Sequence, residues 1–168
     1  RFAGARTLYR CWHFIPRINV EEDGLENYRR FCRARTESFQ RKFGENWELH
    51  LPSASAVGTQ QETPVFLFAG GKAVPERAEN PKQVPAYCYP AIYGPCPPGF
   101  VRASRVKTGR ELRTFISGTA SIKRSETVFP DDCEKQTETT LGNLQLISRA
   151  IGTGGDLGLE QGAKRFFL

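Results

Sequence analysis

The chain has 168 residues, 39% of them apolar, with 24 Lys and Arg against 18 Asp and Glu, 16 Gly, 11 Pro, 5 Cys and no Met. That profile fits one globular domain around one core and excludes a disordered chain; the longest apolar run, Val65 to Ala69, excludes a membrane span, which needs roughly 20 residues. A net charge of +6 invites an anionic partner without choosing among nucleic acid, acidic lipid and a small polyanion.

Thr7 to Ile15 reads T-L-Y-R-C-W-H-F-I, a β-branched and aromatic run ending at Pro16, so a strand is expected. A helix is expected over Glu21 to Phe43, opening on Glu21, Glu22 and Asp23 and stopped by Gly44. Within it Tyr28, Cys32, Phe39 and Phe43, with Arg35 filling the gap, recur at helical spacing. Arg29, Arg30, Arg33, Arg41 and Lys42 then form a solvated outer face. No motif for reading bases accompanies them, so nucleic acid is not an expected partner.

Trp47 to Gly58, rich in small residues and interrupted by Pro52, and Pro64 to Phe68 suit two strands joined by a polar turn. Pro75 to Pro98 holds seven prolines but also Val84, Tyr87, Tyr89, Ile92 and Tyr93, which predicts a structured loop with one short edge strand. Leu112 to Ser117 returns to strand character and runs into Gly118-Thr119-Ala120-Ser121, a small-residue bend where backbone can approach a ligand. After Pro130, Asp131 and Glu134 have capping-box spacing, and Cys133, Thr137, Leu141, Leu144, Ile147 and Ile151 trace one face of a helix. The fold class is therefore α/β (α+β): a mixed sheet with two amphipathic helices packed on one face. Residues 1–151 form the domain and 152–168 a Gly-rich tail, whose Phe166, Phe167 and Leu168 have no assigned dock.

Cys11, Cys32, Cys88, Cys96 and Cys133 are odd in number and lack C-x-x-C spacing, which predicts reduced thiols, no zinc chelate and a cytoplasmic setting. No secretory leader is legible, and a chain starting at Arg1 without Met reads as a fragment or trimmed product. The two histidines, His13 and His50, have no carboxylates at ligand spacing, so a metal site is not expected. Glu126 lies in an acidic cluster with Asp131 and Asp132 near the small-residue bend and is the candidate general acid; helix capping explains the two aspartates equally well.

W-x-x-I-P-R-I-N at Trp12 to Asn19, G-L-E-N-Y at Gly24 to Tyr28, P-S-A-S-A-V-G at Pro52 to Gly58, E-N-P-x-Q-V-P-A-Y-x-Y-P at Glu79 to Pro90, Y-G-P at Tyr93 to Pro95 and S-G-T-A-S-I at Ser117 to Ile122 follow one another as in the chorismatases. The chain resembles that family over about Leu8 to Leu144. The resemblance implies a fold similar to the small imine-deaminase (RidA/YjgF) domain. It also implies cleavage of the enolpyruvyl ether of chorismate, releasing pyruvate and a dihydroxycyclohexadiene carboxylate or hydroxybenzoate, without metal or organic cofactor.

It further implies that Arg102 contacts a substrate carboxylate, that Tyr87 and Tyr93 line the ring, and that Ser117, Gly118 and Ala120 wall the cleft. Structural roles for these residues stay open at this point: an ion pair for Arg102, core packing for the tyrosines, a strand twist for the bend. The family's catalytic glutamate, in a strand after the second helix, has no counterpart beyond Ile151, and family proteins are about twice as long, with an N-terminal domain not recognised here. Arg124-Ser125 stands where the family has Gly-His, and Cys96 where a basic residue is expected. A truncated, inactive member, a non-catalytic small-carboxylate-binding module and a RidA-like homo-oligomer are the alternatives to an active enzyme.

Overall fold

The computed structural model describes residues 7–154. Strand β1, Thr7–Pro16, carries the expected apolar run and buries Tyr9, Arg10, Cys11, His13 and Ile15. Two short strands, β2 (Glu21–Glu22) and β3 (Leu25–Glu26), then pair as a hairpin through Asp23 (φ 49°) and Gly24 (φ 75°). Two consecutive positive φ values suit an Asp-Gly hairpin turn, a signal stronger than the helix-opening charges read into the same residues. Helix α1 therefore begins later than expected, at Asn27, and runs to Phe43, with Gly44 (φ 66°) as its stop. Arg30, expected on the outer face, instead straps the hairpin to the helix by donating to the carbonyls of Leu25 (3.2 Å) and Glu22.

A 3₁₀ segment, Gly44–His50, leads into β4 (Ser53–Thr59), and β5 (Val65–Gly71) follows. Of the expected segment from Trp47 to Gly58 only the part after Pro52 is a strand, and the two strands do not pair with each other. β1 lies between them, parallel to β4 and antiparallel to β5. The proline-rich loop holds one short edge strand, β6 (Glu76–Ala78), and two 3₁₀ turns, Ala86–Cys88 and Ala91–Tyr93.

Strand β7, Ala103–Thr108, was not legible, because Val101, Arg102, Ala103 and Ser104 are all buried and polar side chains interrupt the apolar pattern there. It forms the centre of a second antiparallel sheet, between β6 and β8 (Glu111–Ile116). The two sheets meet where Ser53 bridges Val101 in parallel and the hydroxyls of Ser53 and Ser104, 3.0 Å apart, both reach the Tyr9 carbonyl.

A small hairpin, β9 (Ile122–Lys123) and β10 (Glu126–Thr127), precedes helix α2, Cys133–Ala150. Asp132 caps α2, accepting the Lys135 N–H at 3.0 Å; Asp131, the residue expected to cap, sits one position outside at φ 70°. The buried face of α2 meets expectation at Ile147 and Ile151 but not in the first half of the helix. It comprises Asn143, Ile147 and Ser148, followed by Ile151, while Cys133, Thr137 and Leu141 are exposed. Asn143 joins this face as a buried polar residue: its Nδ2 donates to the carbonyls of Ala120 (3.0 Å) and Ile122 (2.9 Å), tying the helix to the bend.

Two apolar clusters hold these layers. Trp47, Leu51 and Val101 pack with Phe39, Phe43 and Tyr87, and Ala103, Ile147 and Ile151 pack with Ala78 and Ile116. Burying each large aliphatic or aromatic side chain in them contributes about 1.5–3 kcal/mol. No helix among the described residues is long and apolar enough to cross a membrane. Of the expected Gly-rich tail, residues 155–168, including Phe166, Phe167 and Leu168, lie outside the described residues.

Candidate functional site

Arg102 stands where the proline-rich loop enters β7, and it is only 4% exposed. Its backbone is held at both ends: the N–H donates to Glu79 Oε1 (3.3 Å), and the carbonyl accepts the Ser117 N–H (2.8 Å). Its guanidinium donates from Nη2 to the Tyr89 hydroxyl (2.7 Å) and lies against the rings of Tyr89 and Phe100. Tyr93 extends this wall, its ring centroid 5.6 Å from that of Tyr89. Nε is buried with no partner, and among the described residues Arg102 makes no side-chain ion pair.

The small-residue bend packs against this arginine and reaches a second one. Ser117 Oγ donates to the Val101 carbonyl (2.6 Å) and accepts the Ala54 N–H (2.7 Å), so its hydroxyl is spent on joining β4 to the start of β7. Gly118 N–H donates to Ser55 Oγ (3.0 Å), and Arg10 Nη2 donates to the same oxygen (2.5 Å). A Cβ on residue 118 would stand 3.1 Å from that hydroxyl, which explains the glycine. Ala120, exposed, contributes its carbonyl to Asn143.

Arg10 is buried, lies over the Trp12 ring at 5.2 Å and keeps Nη1 unpartnered. Burial draws it down to about 10. The Arg10 guanidinium is thus connected through Ser55, Gly118 and Ser117 to the main-chain carbonyl of Arg102, and each arginine keeps one buried nitrogen without a partner.

Glu79 also has an unmet bond, as do Arg35, at Nε and Nη2, and Thr119. Oε1 takes the Arg102 N–H, while Oε2 is buried without a partner. Burial pushes its carboxyl up to about 7, against the smaller opposing pulls of the Arg102 N–H and charge. The neighbouring Asn80 fixes the backbone beside it, donating to the carbonyl and side chain of Asn143 and accepting the Lys82 N–H.

The expected site residues are therefore sorted in two. Arg102, Tyr93, Ser117 and Gly118 join one connected cluster. Tyr87 instead packs beside Trp47, Leu51 and Val101. Glu126 is exposed on the β9–β10 hairpin opposite Lys123, without the apolar enclosure that a protonated acid requires.

Arg10, Ser55, Glu79 and Tyr89 were missed. An arginine inside the apolar strand Y-R-C-W was the available signal for the first, because an arginine in a buried strand needs a reason to be there. Glu79 and Tyr89 lay inside a recognised motif, but nothing in their spacing distinguishes a buried carboxyl from a surface one.

Other reactive side chains are insulated. His13, packed between Phe31 and Phe66, is lowered to about 4 by burial and then by Arg35. The Cys11 and Cys32 thiols are pushed up to about 11 by burial, which disfavours the thiolate. Among the described residues no three His, Cys, Asp or Glu side chains gather as a metal ion requires. A separate open cleft of about 550 Å³ is lined by Pro81, Lys82, Gln83, Val84, Lys123 and Arg124.

The family model "Chorismatase FkbO/Hyg5-like, N-terminal" matches residues 1–69, so N-terminal family sequence, expected to lie outside the chain, is present in it. A 3-hydroxybenzoate synthase of Streptomyces hygroscopicus is 37% identical over 163 residues, covering 92% of this chain and 45% of that protein. A chorismatase of Streptomyces rapamycinicus is 34% identical over 165 residues, covering 95% of this chain and 48% of that one. A chorismatase crystal structure superposes with a TM-score of 0.81 at 32% identity, covering 90% of this chain and 47% of that one. The chain thus spans a little under half the length of the curated relatives it matches.

Proposed function

Because the chain belongs to the chorismatase family, we propose that its Arg10–Ser55–Gly118–Arg102 cluster binds the two carboxylates of chorismate for cleavage of the enolpyruvyl ether. The products are pyruvate and a dihydroxycyclohexadiene carboxylate or hydroxybenzoate. One observation carries this reading: two buried guanidinium groups each retain an unpartnered nitrogen and no paired carboxylate among the described residues. An unpaired buried charge is costly, and a ligand carboxylate is the group that offsets it through charge-assisted hydrogen bonds. Tyr89 and Tyr93 supply an aromatic wall for the ring, and Gly118 keeps the bend clear of a side chain.

The unit responsible is residues 1–151, with 152–168 as its tail, acting without metal or organic cofactor. Five free cysteines favour a cytoplasmic setting. Incubation with chorismate, with released pyruvate followed by lactate dehydrogenase, tests the proposal. Pyruvate in proportion to chorismate consumed is expected, and failure to bind chorismate at all overturns it.

Two further readings have their own support. The exposed position of Glu126, with no enclosed general acid at the small-residue bend, favours a module that binds the dicarboxylate without cleaving it; binding with no pyruvate is its signature. Val65, Phe66 and Leu67 on the edge strand β5 are 38–52% exposed, which favours a homo-oligomer covering that edge. Light scattering that returns a compact monomer removes this last reading.

A further inference from the structure

The Arg102 cluster contains an acidic group that carboxylate binding does not explain. Glu79 follows β6 and reaches under the start of β7, where one carboxyl oxygen holds the Arg102 N–H at 3.3 Å and the other is enclosed with no partner. A carboxylate buried for structural reasons ordinarily has both oxygens satisfied. Here one oxygen is left over beside an arginine whose own Nε is also left over.

The groups that act on this region are few. Arg102 acts on Glu79 directly, Tyr87 and Cys88 on the Ala86–Cys88 turn feel its charge, and Glu48 of the 3₁₀ segment acts on Tyr87 and Cys88. Arg102 is the one cation among them. The ionisation of Glu79 therefore decides how much of the Arg102 charge is already answered from within the protein.

We propose that Glu79 is a positioning residue that sets the charge available to a ligand carboxylate at Arg102: carrying a proton it leaves the guanidinium uncompensated, and ionised it competes with the ligand for it. This deepens the carboxylate-binding reading and rests on it. The proton is exchanged with solvent and no covalent bond changes. Burial already holds the group near neutrality, so the change falls in a range where the carboxyls of chorismate stay ionised and histidine 13 stays neutral.

Calorimetric titration of the full chain with chorismate at steps between about pH 5.5 and about pH 8.5 tests this. The wild type is expected to lose on the order of tenfold in affinity across that range, since an effect of one pH unit on a proton is reciprocated as a factor of ten on the ligand. Glu79→Gln is expected to bind throughout as the wild type does at the acid end, with a flat profile. Should that variant fold poorly, carbon-13 titration of the Glu79 carboxyl in the wild type gives a second readout. Its midpoint is expected to rise by about one pH unit when chorismate is bound.

A flat wild-type profile, a Glu79→Gln profile as steep as the wild type's, or an unmoved carboxyl midpoint overturns the proposal while leaving carboxylate binding intact. No binding by either protein at any pH overturns the site reading and this inference together.

Discussion

The Tyr89 hydroxyl receives a hydrogen bond from Arg102 Nη2 at 2.7 Å, and its ring also lies against the same guanidinium. This contact ties the proline-rich loop to the first residues of β7. It also fixes the plane of the arginine fork, leaving Nε as the spare donor. The rigidity of the cluster therefore depends on a phenol that lies between Tyr87 and Tyr93, the two the family resemblance pointed to.

Tyr89→Phe keeps the ring and removes the acceptor, so Nη2 joins Nε as an unsatisfied buried donor. Urea unfolding is expected to give a loss of about 1–2 kcal/mol. Bound chorismate should recover part of that loss, because its carboxylate supplies an acceptor, and the ligand-induced rise in Tm should exceed the wild type's. Equal rises in the two proteins would show that the ligand does not meet this arginine.

Arg102→Lys separates charge from geometry. A lysine retains the positive charge but cannot donate to Tyr89 and a ligand together from one planar fork. Chorismate affinity is expected to fall by at least about tenfold, with Arg102→Ala weaker still. Calorimetry returning wild-type affinity for the lysine variant would reduce the guanidinium to a diffuse electrostatic role.

Ser117→Ala distinguishes a structural serine from a ligand contact. Its hydroxyl both donates to Val101 and accepts from Ala54, and it is buried, so its removal leaves a backbone N–H and a carbonyl unpaired. A loss of about 1–3 kcal/mol in stability is expected, with chorismate affinity per folded molecule unchanged. A large change in affinity at constant stability would move Ser117 into direct contact with the ligand.

The parts of the fold that were legible are those where one local signal acts alone. The β1 run and the stop at Gly44 needed no knowledge of the rest of the chain. What escaped were positions governed by distant partners. β7 buries Ser104, and the residue before it, Arg102, is buried too, because Ser53 and Tyr89 bond to them from other elements, and no apolar alternation survives to announce a strand. On α2, Asn143 is buried because it bonds to Ala120 and Ile122, carbonyls more than twenty residues away.

The site divides in the same way. The S-G-T-A-S-I bend and Arg102 were visible as motif residues, whereas Arg10 and Glu79 matter through burial and unmet hydrogen bonds, which a string of letters does not carry. Glu126 is picked out by its place near the bend in sequence, and proximity along the chain is a poor guide to enclosure.

Glu79 also leaves a signature in the pH dependence of folding, independent of any ligand. Its carboxyl stands at about 7 in the folded chain against 4.5 for the free group. The folded state therefore keeps a proton that the unfolded state gives up. The stability from this group is fully present below about 4.5 and is lost as pH rises through about 7. His13 works the other way: held at about 4 against 6.5, it contributes stability above 6.5 that is lost as pH falls through 4.

Between 4.5 and 6.5 the two slopes oppose each other, and the wild type should show a shallow profile. Glu79→Gln removes one of them. The difference in unfolding free energy between wild type and variant should then shift by about 2 kcal/mol between the acid and neutral ends, always toward relatively greater stability of the variant as pH rises. Urea unfolding of both proteins at matched ionic strength measures that difference directly. A difference that stays constant with pH would mean that the Glu79 carboxyl titrates in the folded chain as it does in the unfolded one, and that its enclosure beside Arg102 has no electrostatic consequence.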